Sequence, residues 1–150
     1  MKKLVALVLV LSCVIGLFGC NNTKQEEETT YYFNGEHEYF TISNGSIIMS
    51  DTEQNFDGGE LTITQPSIFE KVISYSTCFY TLRNGERDIF HSTTAEGLTG
   101  DSVPNGKKLG KASSTGLMIS NLEQGLWFEL ITMDANGTEN TYQIELTLTK

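Results

Sequence analysis

The sequence predicts an all-β domain of antiparallel strands, and three observations carry that prediction. Asn-Gly occurs five times, at Asn34-Gly35, Asn44-Gly45, Asn84-Gly85, Asn105-Gly106 and Asn136-Gly137. Both residues tolerate positive φ, which tight hairpin turns require. Several stretches alternate apolar and polar residues, as a strand with one buried face must. Tyr142, Ile144, Leu146 and Leu148 alternate with Gln143, Glu145 and Thr147, and shorter alternations surround Phe40 and Ile42, and Leu61 and Ile63. No window sustains a helical period. Fourteen glycines against two prolines suit many turns and few broken ladders.

In chain order, strands are predicted at about 37–43, 46–51, 59–65, 71–82, 86–93, 115–120, 126–133 and 139–149. Asn44-Gly45 separates the first two. Pro66-Ser67-Ile68-Phe69-Glu70-Lys71 offers one helical turn at most. The 71–82 and 86–93 strands form a hairpin around Asn84-Gly85, and 126–133 and 139–149 form another around Asp134-Ala135-Asn136-Gly137. Residues 94–114, rich in Gly, Ser, Thr and Lys, form a long connection that has room for a short edge strand. Seven or eight short strands predict an antiparallel β-sandwich with immunoglobulin-like architecture, with a small β-barrel as the alternative.

Ahead of this domain lies a different kind of sequence. Lys2 and Lys3 are basic, residues 4–18 are apolar apart from Ser12 and Gly16, and the run ends in Leu17-Phe18-Gly19-Cys20. This leader resembles the signal peptide of a bacterial lipoprotein, and its last four residues resemble a lipobox. The apolar run is shorter than a comfortable bilayer span and has a small residue before the cleavage point. The resemblance implies that residues 1–19 are removed, that Cys20 carries a diacylglyceryl group, and that the protein is membrane-anchored on the extracytoplasmic side. Two acyl chains on one residue suffice for stable anchoring. Residues 20–30 then comprise the lipidated cysteine and a disordered tether, since 21–30 holds no apolar residue and three consecutive glutamates. Ten extended residues reach about 35 Å. The folded domain is expected over residues 31–150.

Charge and cysteine usage narrow the function classes. Of ten Lys and Arg residues, two leave with the leader, so eight face nineteen acidic residues and the mature charge is −11. Such a chain lacks the electrostatic footprint of a nucleic-acid binder. Cys13 lies in the leader and Cys20 is the lipid site, which leaves Cys78 alone in the domain. A single thiol closes no internal disulfide, and Cys78 sits in a β-like stretch with no Lys, Arg or His nearby in sequence, the setting of a buried, inert cysteine.

The remaining constellations carry weak chemistry. No Gly-x-Ser-x-Gly elbow occurs, the 100–108 glycines and lysines miss phosphate-loop spacing by one residue, and one mature cysteine with two distant histidines supports no zinc site. Glu36-His37-Glu38 groups three metal-ligand types, but on a strand His37 would point away from the two glutamates. Asp51, Glu53, Asn55, Asp57 and Glu60 place oxygen ligands at near-alternate positions, as a calcium loop does. Phe56 stands where an EF-hand needs glycine, and Thr62 where it needs the bidentate glutamate, so an acidic surface turn is the competing reading. Lys107, Lys108 and Lys111 form the basic cluster of an acidic domain and could meet an anion. Tyr31, Tyr32 and Phe33, with Trp127, read either as a first strand and a core tryptophan or as exposed rings that stack on a ligand.

By elimination, the expected role is a non-catalytic binding or interaction module at the cell envelope, monomeric and without cofactor, for a protein or glycan ligand. The alternatives are an envelope hydrolase whose residues converge only in three dimensions, and an inhibitory or structural partner that pairs through a β edge.

Overall fold

The computed structural model describes residues 28–50, 53–96, 98, 103, 105–113 and 115–150; Cys20 and the expected leader lie outside them, as does Asp51. The strands are β1 (Thr29–Glu36), β2 (Phe40–Met49), β3 (Gln54–Asp57), β4 (Glu60–Ile63), β5 (Val72–Arg83) and β6 (Glu86–Ala95). They continue with β7 (Lys107–Lys108), β8 (Lys111–Ser113), β9 (Leu126–Asp134) and β10 (Glu139–Thr149). A 3-10 turn at Pro66–Phe69 supplies the predicted helical turn. A short helix, α1 (Ile119–Leu122), replaces the strand expected at 115–120. Gly116, at φ 73°, turns the chain there, and Leu117 and Leu122 reach the core from either side of the turn.

Every ladder is antiparallel. They run as one continuous path, β6-β5-β9-β10-β1-β2-β3-β8, with β4 pairing β2 and β7 off it. The two ends of that path approach each other. His91 on β6 bonds through Nε2 to the carbonyl oxygen of Leu109, two residues before β8, at 2.9 Å, and its ring packs on Phe56 of β3. The sheet is therefore nearly closed as a barrel, the second of the two expected architectures. An immunoglobulin-like sandwich would need two separate sheets, which this pairing does not display.

The barrel interior is filled by aromatic rings. Phe33, Phe40, Phe69, Phe79 and Phe128 are essentially inaccessible, and Phe56 joins them. Phe79 is the hub, 4.8 Å from Phe56 and 5.0 Å from Phe128 between ring centroids. Each buried ring contributes about 1.5–3 kcal/mol. Among the described residues, the core cluster and the side chains packed on it lie between Tyr31 and Leu148.

Asn84-Gly85 and Asn136-Gly137 lie in hairpin turns as expected, while Asn34-Gly35 and Asn44-Gly45 lie inside β1 and β2. Asn84 and Gly85 have φ of 55° and 81°, the doubly left-handed turn that joins β5 to β6. Asp134 Oδ1 accepts the amides of Asn136 and Thr138, closing the β9–β10 turn. Asn44-Gly45, in contrast, lies inside β2, where the expected two strands are one. Asn44 is left-handed, and the β1–β2 register shifts between Phe33 and Gly35, the signature of a bulge. A Cβ on Gly45 would lie 2.0 Å from the Phe33 ring, so this glycine is there to admit a core phenylalanine. β1 begins at Thr29, two residues before the expected start of the domain, and β3 occupies part of the expected acidic turn.

Candidate functional site

β9 carries the most unusual strand sequence, Leu-Trp-Phe-Glu-Leu-Ile-Thr-Met-Asp, which is apolar in both phases. Leu126, Phe128 and Leu130 point into the barrel, while Trp127, Glu129, Ile131 and Met133 form the outward row. A strand with both phases apolar is one covered on both sides. Register sets its neighbours. Tyr80 and Glu145 flank Trp127, Cys78 and Gln143 flank Glu129, Ser76 and Thr141 flank Ile131, and Ser74 and Glu139 flank Met133. β6 adds Ile89 beside Tyr80 and Thr94 beside Ser76.

These outward side chains pack into a second, external layer. The Tyr80 and Trp127 rings stack at 6.2 Å and 16°. The Arg87 guanidinium lies 4.2 Å above the Tyr80 ring, a cation–π contact, and its Nη2 donates to Glu129 Oε1 at 2.5 Å. Gln143 Nε2 donates to the other Glu129 oxygen. The Glu129 side chain is only 3% exposed although it points outward, against 41% for Arg87. Burial alone would push its carboxyl up, but the Arg87 and Gln143 hydrogen bonds and the Arg87 charge outweigh burial and hold it below the usual carboxylate range. Cys78 is buried in the same cluster. Desolvation, followed by the Glu129 charge, pushes its thiol up to about 11, which favours the neutral form, even though Arg87 Nη2 donates to its sulfur at 3.4 Å. The Trp127 indole Nε1, almost inaccessible, has no hydrogen-bond partner among the described residues.

Elsewhere, the motifs with the most chemical promise in sequence neutralise one another. Asp57 Oδ2 pairs with Lys111 Nζ at 2.9 Å, and Glu60 Oε2 with Lys108 Nζ at 2.7 Å. Asn55 Oδ1 accepts from Ser113 at 2.9 Å. The carboxylates of the calcium-like stretch and the lysine cluster thus zip β3 to β8 and β4 to β7. Burial opposes ionisation of Asp57, but the bonds from Lys111 and the Gly59 amide win and lower its pKa. Glu53 is exposed, Asp51 lies outside the described residues, and no three His, Cys, Asp or Glu side chains among those described are placed to share a metal ion.

Glu36 ends β1, opposite Thr41 of β2, while His37 and Glu38 lie in the turn between the two strands. His37 stacks on Phe40 at 4.8 Å and accepts the Tyr39 amide at Nδ1, so it serves as a lid on the core edge, with both glutamates in solvent. Tyr31 and Phe33 are buried in β1, while Tyr32 is 56% exposed. Trp127 follows neither of the two readings fully: it is half-buried on the outside of the barrel. Its signal in the sequence was the apolar run around it, broken within β9 only by Glu129 and Thr132 before Asp134. Compared with known proteins, the chain matches no family model, no curated protein and no solved structure.

Proposed function

We propose that the protein is a membrane-anchored extracytoplasmic lipoprotein whose barrel is a non-catalytic binding module. The anchor is Cys20, on the strength of the lipobox-like leader. The binding surface is the outer face of β6, β5, β9 and β10. The observation that carries this reading is the outward β9 row: Trp127, Ile131 and Met133 line an apolar stripe, with the buried Glu129 held between them by Arg87 and Gln143. Rigid aromatic and aliphatic groups held on a sheet are what a recognition surface requires. The hydrolase alternative needs a carboxyl poised near neutral pH. Glu129, the most buried carboxylate among the described residues, is pulled the other way, and its two oxygens are already engaged.

Cell fractionation and co-sedimentation test both halves. Cys20→Ala should release the protein from the membrane or leave an uncleaved precursor; normal processing with unchanged partitioning would remove the lipoprotein assignment. The released domain should sediment with isolated cell envelopes, and Trp127→Ala should reduce that several-fold. Retention unaffected by Trp127→Ala contradicts the binding face.

A further inference from the structure

We infer that the partner of this face is a basic, amphipathic polypeptide segment, an inference that rests on the β9 face being the binding surface. The outward residues divide into an apolar centre and an acidic rim. Ile89, 53% exposed, Met133, 37% exposed, and half-buried Trp127 and Ile131 form the centre. Glu96, at the end of β6, and Glu139 and Glu145 of β10 border it, all exposed. The cation in these outward rows is Arg87, and Glu129 neutralises it. The rim therefore presents three uncompensated carboxylates around an apolar stripe.

That pattern selects among occupants. A second copy seated face to face would set these carboxylates against their equivalents, a like-charge juxtaposition that costs several kcal/mol. An anionic glycan or lipid headgroup meets the same repulsion, strengthened by the −11 charge of the mature chain. A small polyamine satisfies the rim but leaves the stripe uncovered. From Trp127 to Met133 the stripe runs six residues, about 20 Å along the strand, the reach of a peptide segment. Trp127 adds a second requirement. Its orphan indole N–H lies beside Gly125, where a Cβ would meet Nε1 at 3.2 Å and the Glu145 carboxylate at 2.8 Å. That N–H is almost inaccessible, so the partner meets the exposed Glu145 carboxylate next to the indole, which suits a Lys or Arg side chain of a peptide.

The sole tryptophan of the chain makes the test direct, because its fluorescence reports this face alone. The protein, solubilised in detergent, is titrated with a synthetic twelve-residue peptide of alternating Lys and Val. The same peptide with Glu for Lys, and spermine, are the comparison probes. The Lys-Val peptide should shift Trp127 emission saturably, and the other two should not. Glu139→Lys with Glu145→Lys should weaken the response at least tenfold. Glu36→Lys with Glu38→Lys, the same charge change where β1 turns into β2, should leave it within twofold. Equal loss in both variants would reduce the effect to net charge and overturn the proposal, as would an equal response to spermine or no response to the Lys-Val peptide. If the Glu-Val peptide alone shifts Trp127, the face binds but the basic partner is wrong. If no probe perturbs Trp127 and envelope sedimentation ignores Trp127→Ala, the binding face falls as well.

Discussion

The two outer surfaces of the barrel hold their charges in opposite ways. On β3, β4, β7 and β8, Asp57–Lys111 and Glu60–Lys108 are exposed pairs, with the lysine side chains 80% and 73% accessible. Such pairs contribute about 0–1 kcal/mol each, because water solvates the separated ions nearly as well. On β5, β6, β9 and β10, Glu129 is removed from water and depends on Arg87 and Gln143 for its ionised state. A lone buried charge is expensive, so this pair cannot be dismantled from one side. The comparison teaches that density of charge in sequence is a poor guide to chemistry. Asp57 and Glu60 of the acidic stretch cancel Lys111 and Lys108 at the surface, while one glutamate in an apolar strand organises a face.

The largest effect that sharpens the contrast is a loss of stability. Arg87→Ala should cost about 3 kcal/mol, because it leaves Glu129 buried with Gln143 alone. For a domain of this size that lowers Tm by roughly 10 °C in thermal denaturation. Lys111→Ala should cost under about 1 kcal/mol. Replacing Arg87 and Glu129 together with Leu should recover most of the loss. Equal costs for the two single variants would erase the distinction between the faces.

A second, smaller difference lies in pH. The Glu129 pKa is depressed in the folded state, so its contribution is complete above the ordinary glutamate range and is lost as pH falls through the lowered value. Denaturant midpoints should be flat from pH 7 to about 5 and fall below that, and Glu129→Gln should flatten the acid limb. Cys78 acts in the other direction. Its folded pKa, about 11 against 9.0 for the free thiol, favours the native state below pH 9, and that contribution disappears as pH rises through 11. Raised Tyr75 and Tyr80 values have the same sign. Mass spectrometry should therefore find Cys78 unmodified by iodoacetamide in the native protein at pH 8 and alkylated once urea unfolds it. Rapid native alkylation contradicts the packing of the external layer.

The smallest expected effect concerns calcium. Since Asp57 and Glu60 already hold lysines, millimolar calcium should move Tm by no more than about 1 °C. Occupancy at a hundred times Kd would give about 2.7 kcal/mol. A rise approaching 10 °C, abolished by Asp57→Ala, would show that the acidic stretch outcompetes its lysines and that the exposed face carries the chemistry.

What was legible in the sequence was local. The β5–β6 hairpin follows from Asn84-Gly85, whose positive φ values need nothing beyond the turn itself. The β9–β10 hairpin follows from Asp134 and the alternation of β10. Asn44-Gly45 carried the same signal and became a bulge, because Gly45 answers to the Phe33 ring on another strand. Closure of the sheet was equally out of reach, resting on His91 and Leu109, which meet only once β6 and β8 are at the two ends of one path. The lysine and carboxylate clusters were each visible, but Lys111 and Asp57 become neighbours only through the β3–β8 register. For the outer β9 face a signal was present: Trp127, Ile131 and Met133 break the alternation that β10 keeps. A core tryptophan was the simpler reading of that run until register placed Trp127 outside.

The proposed function puts the partner on the β9 face and not on the zipped β3–β8 face. Photo-crosslinking from single benzoylphenylalanine substitutions in intact cells compares them directly. Met133 stands at the end of the β9 stripe, and Ser46, half-buried on β2, adjoins Asp57 on the opposite surface. The account predicts a discrete adduct from position 133 at several times the yield from position 46, lost when Glu139 and Glu145 are changed to Lys. Equal yields, or a stronger adduct from position 46, would contradict it.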